Sequence, residues 1–118
     1  MNSEDQKKIE KIINDRKKAH RFYDHHSTVY QSFVNMEKVT FAEGSLAKKY
    51  KELVALGISI RINCESCVEW HIKQAIDSGA TEEEIIEAIG VGIEMGGGPA
   101  TVTARFAMYV LEFYSEAI

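Results

Sequence analysis

The sequence predicts an all-α protein, a compact helical domain of about six helices. Three observations support this fold class. The 118-residue chain has one proline, Pro99. No segment alternates strictly between apolar and polar residues, as a half-buried strand would. Apolar residues recur instead at helical spacing along most of the chain. The length fits one domain, and 45% apolar with 27% charged residues is typical of globular proteins.

The first half of the chain predicts three helices. A segment of about 3–23 carries apolar residues near helical spacing, and a second helix begins near Ser27 and ends by Gly44, a typical C′ residue. Ser45 is the expected N-cap of the third helix. β-branched residues in 53–62 would also suit a strand, but no partner strand is visible, so we expect a helix there. The residues expected on its buried side are Leu46, Tyr50, Leu53 and Val54.

The second half predicts three more helices. Asn63 is the expected N-cap of the fourth, which places Cys64 at its first position, and Gly79 ends it. Thr81 and Glu84 form a capping-box pattern for the fifth. Its expected apolar stripe consists of Ile85, Ile86, Ile89 and Ile93. The glycines and proline at 96–99 then break the chain, and the stripe of the last helix consists of Val102, Phe106, Val110 and Phe113.

Charge and hydropathy exclude several classes of partner. The formal net charge is −4, and no block of like charge indicates a nucleic acid or a membrane surface. No apolar run approaches the roughly 18 residues of a membrane span. The first residues lack the basic and apolar regions of a signal peptide. We therefore expect a cytoplasmic protein.

The two cysteines of the chain, Cys64 and Cys67, lie three residues apart, and His71 follows four residues after the second. On a helix these positions share one face, so two thiols and an imidazole converge. A thiolate is the reactive form of cysteine, and a helix N-terminus or an imidazole lowers the pKa of a thiol. In a cytosolic protein this pattern favours redox chemistry or metal binding over a structural disulfide.

Residue chemistry alone leaves these alternatives open. Cys64, Cys67 and His71 could supply three zinc ligands, although a structural zinc site usually has a fourth. His20, His25 and His26 are distant in sequence, and the His25-His26 pair is expected at the surface. The glycines at 90–98 lack a preceding strand and a Walker lysine, so they do not indicate a nucleotide site. No metal or cofactor is assigned.

Four motifs occur together in the second half of the chain. They are Lys51–Gly57, the Cys64-x-x-Cys67-x-x-x-His71 run, Gly79–Ile85 and Gly97–Ala100. This set resembles the AhpD-like, carboxymuconolactone decarboxylase family, and Glu52 stands 12 residues before the first cysteine, as in the alkylhydroperoxidase branch. The similarity covers about residues 40–115, so the chain is expected to be a single domain of this family over 1–118, with 1–40 less well matched.

The resemblance implies an all-helical fold, a trimer or hexamer, and reduction of peroxides or disulfides by the two cysteines with Glu52 and His71 as a proton relay. A low-molecular-weight thiol, a lipoyl group or a thioredoxin-like protein would return the electrons. Peroxidase members often carry a histidine immediately before the second cysteine, where this chain has Ser66. A hydroxyl cannot act as a base near neutral pH. A non-catalytic or zinc-binding module of the same fold therefore stays as an alternative, and a lyase of the decarboxylase branch as another.

Within this family a role can be given to each cysteine. Cys67, which shares its helix face with His71, is expected to attack the peroxide, and Cys64 is expected to resolve the product. Oligomerisation also has an argument from the sequence, because the terminal helix has more apolar width than one small chain needs to bury. The residues concerned are Phe106, Tyr109, Val110, Phe113 and Tyr114.

Overall fold

The computed structural model describes residues 1–116, which form six helices and no strand. The all-α prediction is confirmed for this part of the chain. None of the helices in it is long and apolar enough to cross a membrane. The helices are α1 (Ser3–His26), α2 (Thr28–Thr40), α3 (Lys48–Arg61), α4 (Glu65–Asp77), α5 (Glu82–Gly96) and α6 (Gly98–Glu116).

The first two helices begin at polar N-caps. The Asn2 side chain accepts a hydrogen bond from the backbone of Glu4, and α1 runs three residues beyond the predicted end at 23. Helix α2 begins near Ser27 as predicted, and Ser27 is its N-cap, because the Ser27 hydroxyl accepts from the backbone N–H of Tyr30. The predicted C′ role of Gly44 is wrong, since α2 already ends at Thr40.

The third helix is rotated relative to the prediction. Its N-cap is Ala47, not Ser45, and the carboxylate of Glu43 accepts a hydrogen bond from the backbone N–H of Lys48 at 3.0 Å. The buried side contains Glu52, Leu56, Ser59 and Ile60, because this side faces α4 and α5. Three of the four residues predicted to be buried are about half exposed, and Leu53 is partly buried. The exposed ones are Leu46, Tyr50 and Val54.

The core lies where α3 packs against α4 and α5 and where α6 packs on those two helices. Apolar burial of this kind supplies the main favourable free energy of folding. α1 contributes Ile9 to the core and also contacts α2, α4 and α6. The other core residues are Leu56, Ile60, Val68, Ile72, Ala75, Ile85, Ile89, Ala100, Phe106, Ala107 and Val110.

Glycine allows α3 and α5 to approach closely. A Cβ added at Gly92 would lie 2.6 Å from the backbone oxygen of Gly57 and 2.7 Å from the Cβ of Ile60. A Cβ added at Gly57 would lie 3.4 Å from the Ala88 oxygen. Both glycines therefore allow close packing of the two helices. Gly90 has no such role, since a Cβ there would meet nothing within 4 Å.

The structure of the last two helices agrees closely with the prediction from the sequence. Both hydrogen bonds of the predicted capping box form between Thr81 and Glu84. Gly97, with a φ of 72°, separates α5 from α6 in the left-handed region that favours glycine. Ile86 and Val102 are exposed, although their stripes are otherwise buried or partly buried. Phe106 and Val110 of α6 are buried in the core, and Tyr109, Phe113 and Tyr114 are partly buried against it. Oligomerisation stays a prediction.

Candidate active site

The Cys64–Cys67 pair forms a disulfide at the start of α4. Both residues are half-buried. Cys64 is the N-cap itself, and its Sγ accepts a hydrogen bond from the backbone N–H of Cys67 at 3.2 Å. A sulfur in this position lies at the positive end of the helix dipole, which favours the thiolate when the pair is reduced.

The prediction that Asn63 is the N-cap of α4 and Cys64 its first helical residue is therefore wrong by one position. Asn63 has a φ of 60°, which turns the chain between α3 and α4. Its side-chain oxygen accepts a hydrogen bond from the Thr103 hydroxyl at 2.6 Å, so it is not available to the helix end. The turn places the N–H of Cys64 3.1 Å from the carbonyl oxygen of Ser59. Asparagine tolerates this left-handed conformation better than most residues.

Glu52 and His71 form a buried pair beside the dithiol helix. Nδ1 of His71 lies 2.8 Å from Oε1 of Glu52, and Nζ of Lys48 donates to Oε2 of the same carboxylate at 2.6 Å. The Glu52 side chain is only 2% exposed. A buried carboxylate requires such partners, because an isolated charge in the protein interior is costly. The structure thus brings together the two predicted relay residues and adds a lysine.

The orientation of the His71 ring follows from its neighbours. Nδ1 is engaged by Glu52, and the ring of Phe41 stacks on the imidazole with centroids 5.5 Å apart. His71 lies one helical turn after Cys67, so the two side chains share a face of α4. With Nδ1 donating to the carboxylate, Nε2 is the nitrogen that can accept a proton.

A cleft of about 270 Å³ opens beside this pair. One wall comes from the end of α2 and the residues after it, and the other comes from α3 and α4. Glu52 and Lys48 lie in the cleft together with apolar and polar side chains. The remaining lining residues are Glu37, Lys38, Phe41, Ala42, Trp70 and Gln74.

A second buried carboxylate lies on the same helix. The Glu69 side chain is 1% exposed, and its Oε1 lies 2.5 Å from Nη1 of Arg16. Its other oxygen accepts a short hydrogen bond from the Tyr114 hydroxyl. Burial, then the bond to Glu69, holds the pKa of Tyr114 well above its ordinary value. Sequence analysis missed this cluster; the available signal was a carboxylate three residues before the core residue Ile72.

The other histidines lie away from the site. His20 contacts Tyr30, His26 contacts the Phe22 carbonyl, and His25 is exposed like its neighbour, as predicted for that pair. Within residues 1–116, no group of three or more His, Cys, Asp and Glu side chains is placed to hold a metal ion.

Comparison with known proteins identifies the family. Residues 27–109 match the sequence profile of the carboxymuconolactone decarboxylase family. The chain belongs to this family. The predicted resemblance is confirmed at this level, and the Cys64–Cys67 pair is present in the structure.

Two bacterial relatives of this family member are uncharacterized proteins. Protein 4 of the cox locus of Paracoccus denitrificans is 40% identical over 86 residues, which are 73% of this chain and 78% of the relative. A protein of Cupriavidus necator is 36% identical over 77 residues, which are 65% of this chain and 68% of the relative.

Solved structures of the family have the same fold. A carboxymuconolactone decarboxylase family protein of Legionella pneumophila, crystallised in its apo form, is 28% identical with a TM-score of 0.78, over 92% of this chain and 96% of that one. A Thermotoga maritima protein is 28% identical with a TM-score of 0.85, over 91% and 95%. A second crystal structure of the Thermotoga protein is 27% identical with a TM-score of 0.83, over 90% of this chain and 91% of that one. That protein is described as having a possible involvement in an antioxidative response.

Proposed function

We propose that this protein is a thiol-dependent oxidoreductase of the alkylhydroperoxidase type, which reduces hydroperoxides through Cys64 and Cys67. The observation that carries the proposal is the Glu52–His71 pair, joined at 2.8 Å and placed one turn after the redox cysteines. Nucleophilic sites share this logic, in which a base beside the nucleophile is oriented by a third group.

The proposed reaction consumes one hydroperoxide per dithiol. The Cys67 thiolate attacks the terminal oxygen of the O–O bond, which breaks to release the alcohol and leaves a sulfenic acid on Cys67. Cys64 then attacks the sulfenic sulfur, so that the disulfide forms and water leaves. Both electrons lost by the dithiol are gained by the peroxide. The disulfide of this structure corresponds to the product of that half-reaction.

Proton transfer in this scheme belongs to His71 and Glu52. Nε2 of His71 takes the proton of the Cys67 thiol and returns a proton to the leaving alkoxide. Glu52 holds Nδ1 in its protonated form and stabilises the imidazolium, and Lys48 fixes the other carboxylate oxygen. This arrangement does not need a base at Ser66, where peroxidase members often have a histidine.

An external reductant must complete the cycle. A thiolate of a low-molecular-weight thiol, a lipoyl group or a thioredoxin-like protein attacks the disulfide and releases one cysteine. A second thiol, from the same reductant molecule or from another, then attacks the mixed disulfide and releases the other cysteine. We assign the cytoplasm as the compartment, because its thiol pool keeps such a pair reducible.

The test measures intact mass and free thiols before and after one equivalent of a hydroperoxide. We expect the reduced protein to lose two hydrogens and both thiols, with recovery by a dithiol reductant. A Cys64→Ser/Cys67→Ser variant is the control and should consume no peroxide. Two thiols that survive the peroxide dose in the wild type would refute the proposed function.

Homo-oligomerisation, as a trimer or hexamer, is part of the same proposal. Its support is an apolar stripe on the outer side of α3 and the turn after it, at intervals of four residues. Each side chain of the stripe is about half exposed, and contiguous exposed apolar side chains mark interfaces. We call it the α3 stripe; it consists of Tyr50, Val54, Ile58 and Ile62.

A further inference from the structure

Both residues between the two cysteines are held from α1. Nζ of Lys8 lies 2.9 Å from Oε2 of Glu65. Nη2 of Arg16 donates to the carbonyl oxygen of Ser66 at 2.8 Å and to its hydroxyl at 3.1 Å. The backbone segment that carries the redox pair is therefore bound by two side chains of the N-terminal helix.

The two attachments differ in strength. In the Lys8–Glu65 pair the side chains are 51% and 42% exposed, and such surface ion pairs contribute little to stability. Arg16 is only 26% exposed, and its partner Glu69 is 1% exposed. Removing one partner of a buried ion pair is costly, because the other charge is left uncompensated. Arg16 is thus the residue that fixes Ser66.

Two residues of α4 besides Ser66 also contact Arg16. Nη1 pairs with Glu69, which also accepts from the Tyr114 hydroxyl, and the guanidinium carbon lies 5.3 Å from the centroid of the Trp70 ring. Planar guanidinium groups suit such forked and stacked contacts, and lysine cannot reproduce them. Its position beside the first turn of α4 is therefore set by residues of α4 and α6.

We propose that Arg16 is a positioning residue for the Cys64–Cys67 pair, which it controls through Ser66 and through its charge. This proposal rests on the function proposed above, which makes Cys64 and Cys67 a redox-active pair. Arg16 binds the carbonyl group of Ser66, the residue immediately before Cys67, and a positive charge near the dithiol favours the thiolate. Glu69 offsets part of this charge. Ser66 thus supplies two acceptors for Arg16 at the position before the second cysteine.

Other titratable groups belong to the helices that pack around the dithiol. They are Lys8 of α1, Lys48 and Glu52 of α3, Glu65 and His71 of α4, and Tyr114 of α6. These groups stay unchanged in the variants that follow, so a difference between variants reports on Arg16 and Glu69.

The experiment measures the rate of iodoacetamide alkylation of the fully reduced protein as a function of pH. We expect Arg16→Gln to raise the thiol pKa and to slow alkylation at pH 7 by about threefold or more. We expect Glu69→Gln to lower the thiol pKa, since the guanidinium charge is then less offset. Arg21→Gln, which removes a charge from an exposed position of α1, is the matched control and should behave as wild type.

The opposite shifts of the thiol pKa in the two variants separate this role from a purely structural one. General loosening of the helix would shift the thiol pKa of both variants in the same direction. Should Arg16→Gln not fold, the Glu69→Gln variant and the Arg16→Gln/Glu69→Gln double variant, which leaves no unpaired buried charge, decide the matter. A thiol pKa of Glu69→Gln equal to that of wild type would overturn the proposal, as would shifts of both single variants in one direction. Alkylation needs only free thiols, so the result is independent of whether wild type reduces peroxides.

Discussion

His71 and Glu52 are 19 residues apart in sequence, yet Nδ1 of the first lies 2.8 Å from Oε1 of the second. The contact joins α3 to α4 at the point where the dithiol helix begins. Because Glu52 is nearly inaccessible to solvent, the carboxylate orients the imidazole in a site where charge interactions are stronger than in water. The pair therefore connects the packing of two helices with the chemistry proposed for the cysteines.

Replacement of the relay carboxylate should impair peroxide reduction. We expect Glu52→Gln to lower the turnover of a hydroperoxide by about 100-fold, within the range of general acid–base catalysis. The measurement is peroxide consumption with a dithiol reductant. Glu37→Gln, which alters a carboxylate of the same cleft without contact to His71, is the control and should keep most of the activity. Equal turnover in both variants would exclude the relay.

The two cysteines should differ when replaced singly. Cys64→Ser should accumulate a sulfenic acid on Cys67 after one equivalent of peroxide, because no resolving thiol remains. Cys67→Ser should leave the peroxide unreduced. Mass spectrometry after trapping with dimedone distinguishes the adducts. An adduct on Cys64 in the Cys67→Ser variant, with none on Cys67 in the other, would reverse the assigned roles.

Gly92 should be the more sensitive of two neighbouring glycines. A methyl group at Gly92 would meet the Gly57 oxygen at 2.6 Å, so Gly92→Ala should destabilise the fold by about 1–3 kcal/mol through overpacking. Gly90→Ala meets nothing within 4 Å and should stabilise the helix by about 0.5–1 kcal/mol. Urea denaturation of both variants checks the difference, and a stable Gly92→Ala protein would contradict the close approach of α3 and α5.

Tyr114 should make stability fall in alkaline solution. Its pKa in the folded state is raised, first by burial and then by the bond to Glu69, so the neutral form stabilises the fold. This contribution is complete below the ordinary tyrosine pKa of about 10 and is lost as the pH rises toward the folded-state value. We expect wild type to lose more stability than Tyr114→Phe above pH 10 in urea titrations. Parallel losses would show that another group is responsible.

The α3 stripe should control assembly. Ile58→Glu places a charge in the middle of the stripe and should shift the protein to monomers, whereas Lys7→Glu at an exposed position of α1 should not. Light scattering at micromolar concentration measures the mass of each. A wild type that is already monomeric, or an Ile58→Glu variant that stays a trimer or hexamer, would count against an interface on this surface.

Local signals were sufficient to predict most of the fold. The capping box of α5, the start of α2 near Ser27 and the glycine break before α6 each depend on residues close in sequence. The errors at Ser45 and Asn63 have another origin. Asn63 is a good N-cap by propensity, but Thr103, 40 residues away, binds its side chain, and the cap passes to Cys64. No local pattern contains that contact.

The site could be predicted only where its residues lie in recognisable motifs. Glu52, Cys64, Cys67 and His71 could be named from motif spacing, and the structure places Glu52 against His71 and joins the cysteines. Their catalytic roles remain predictions. The Arg16 cluster could not be foreseen, because it joins α1, α4 and α6 across 53 and 45 residues. On the sequence, Arg16 is one of many charges in a Lys- and Glu-rich helix.

None of the residues of α2 is buried, and among the described helices it packs closely only against α1. A 13-residue helix with so little burial is marginal by itself. Its amides should therefore exchange with solvent deuterium long before those of α3 and α4, because local opening of α2 costs less free energy. Since the end of α2 forms one wall of the cleft beside Glu52, protection of α2 by a neighbouring subunit would also order the entrance of that cleft.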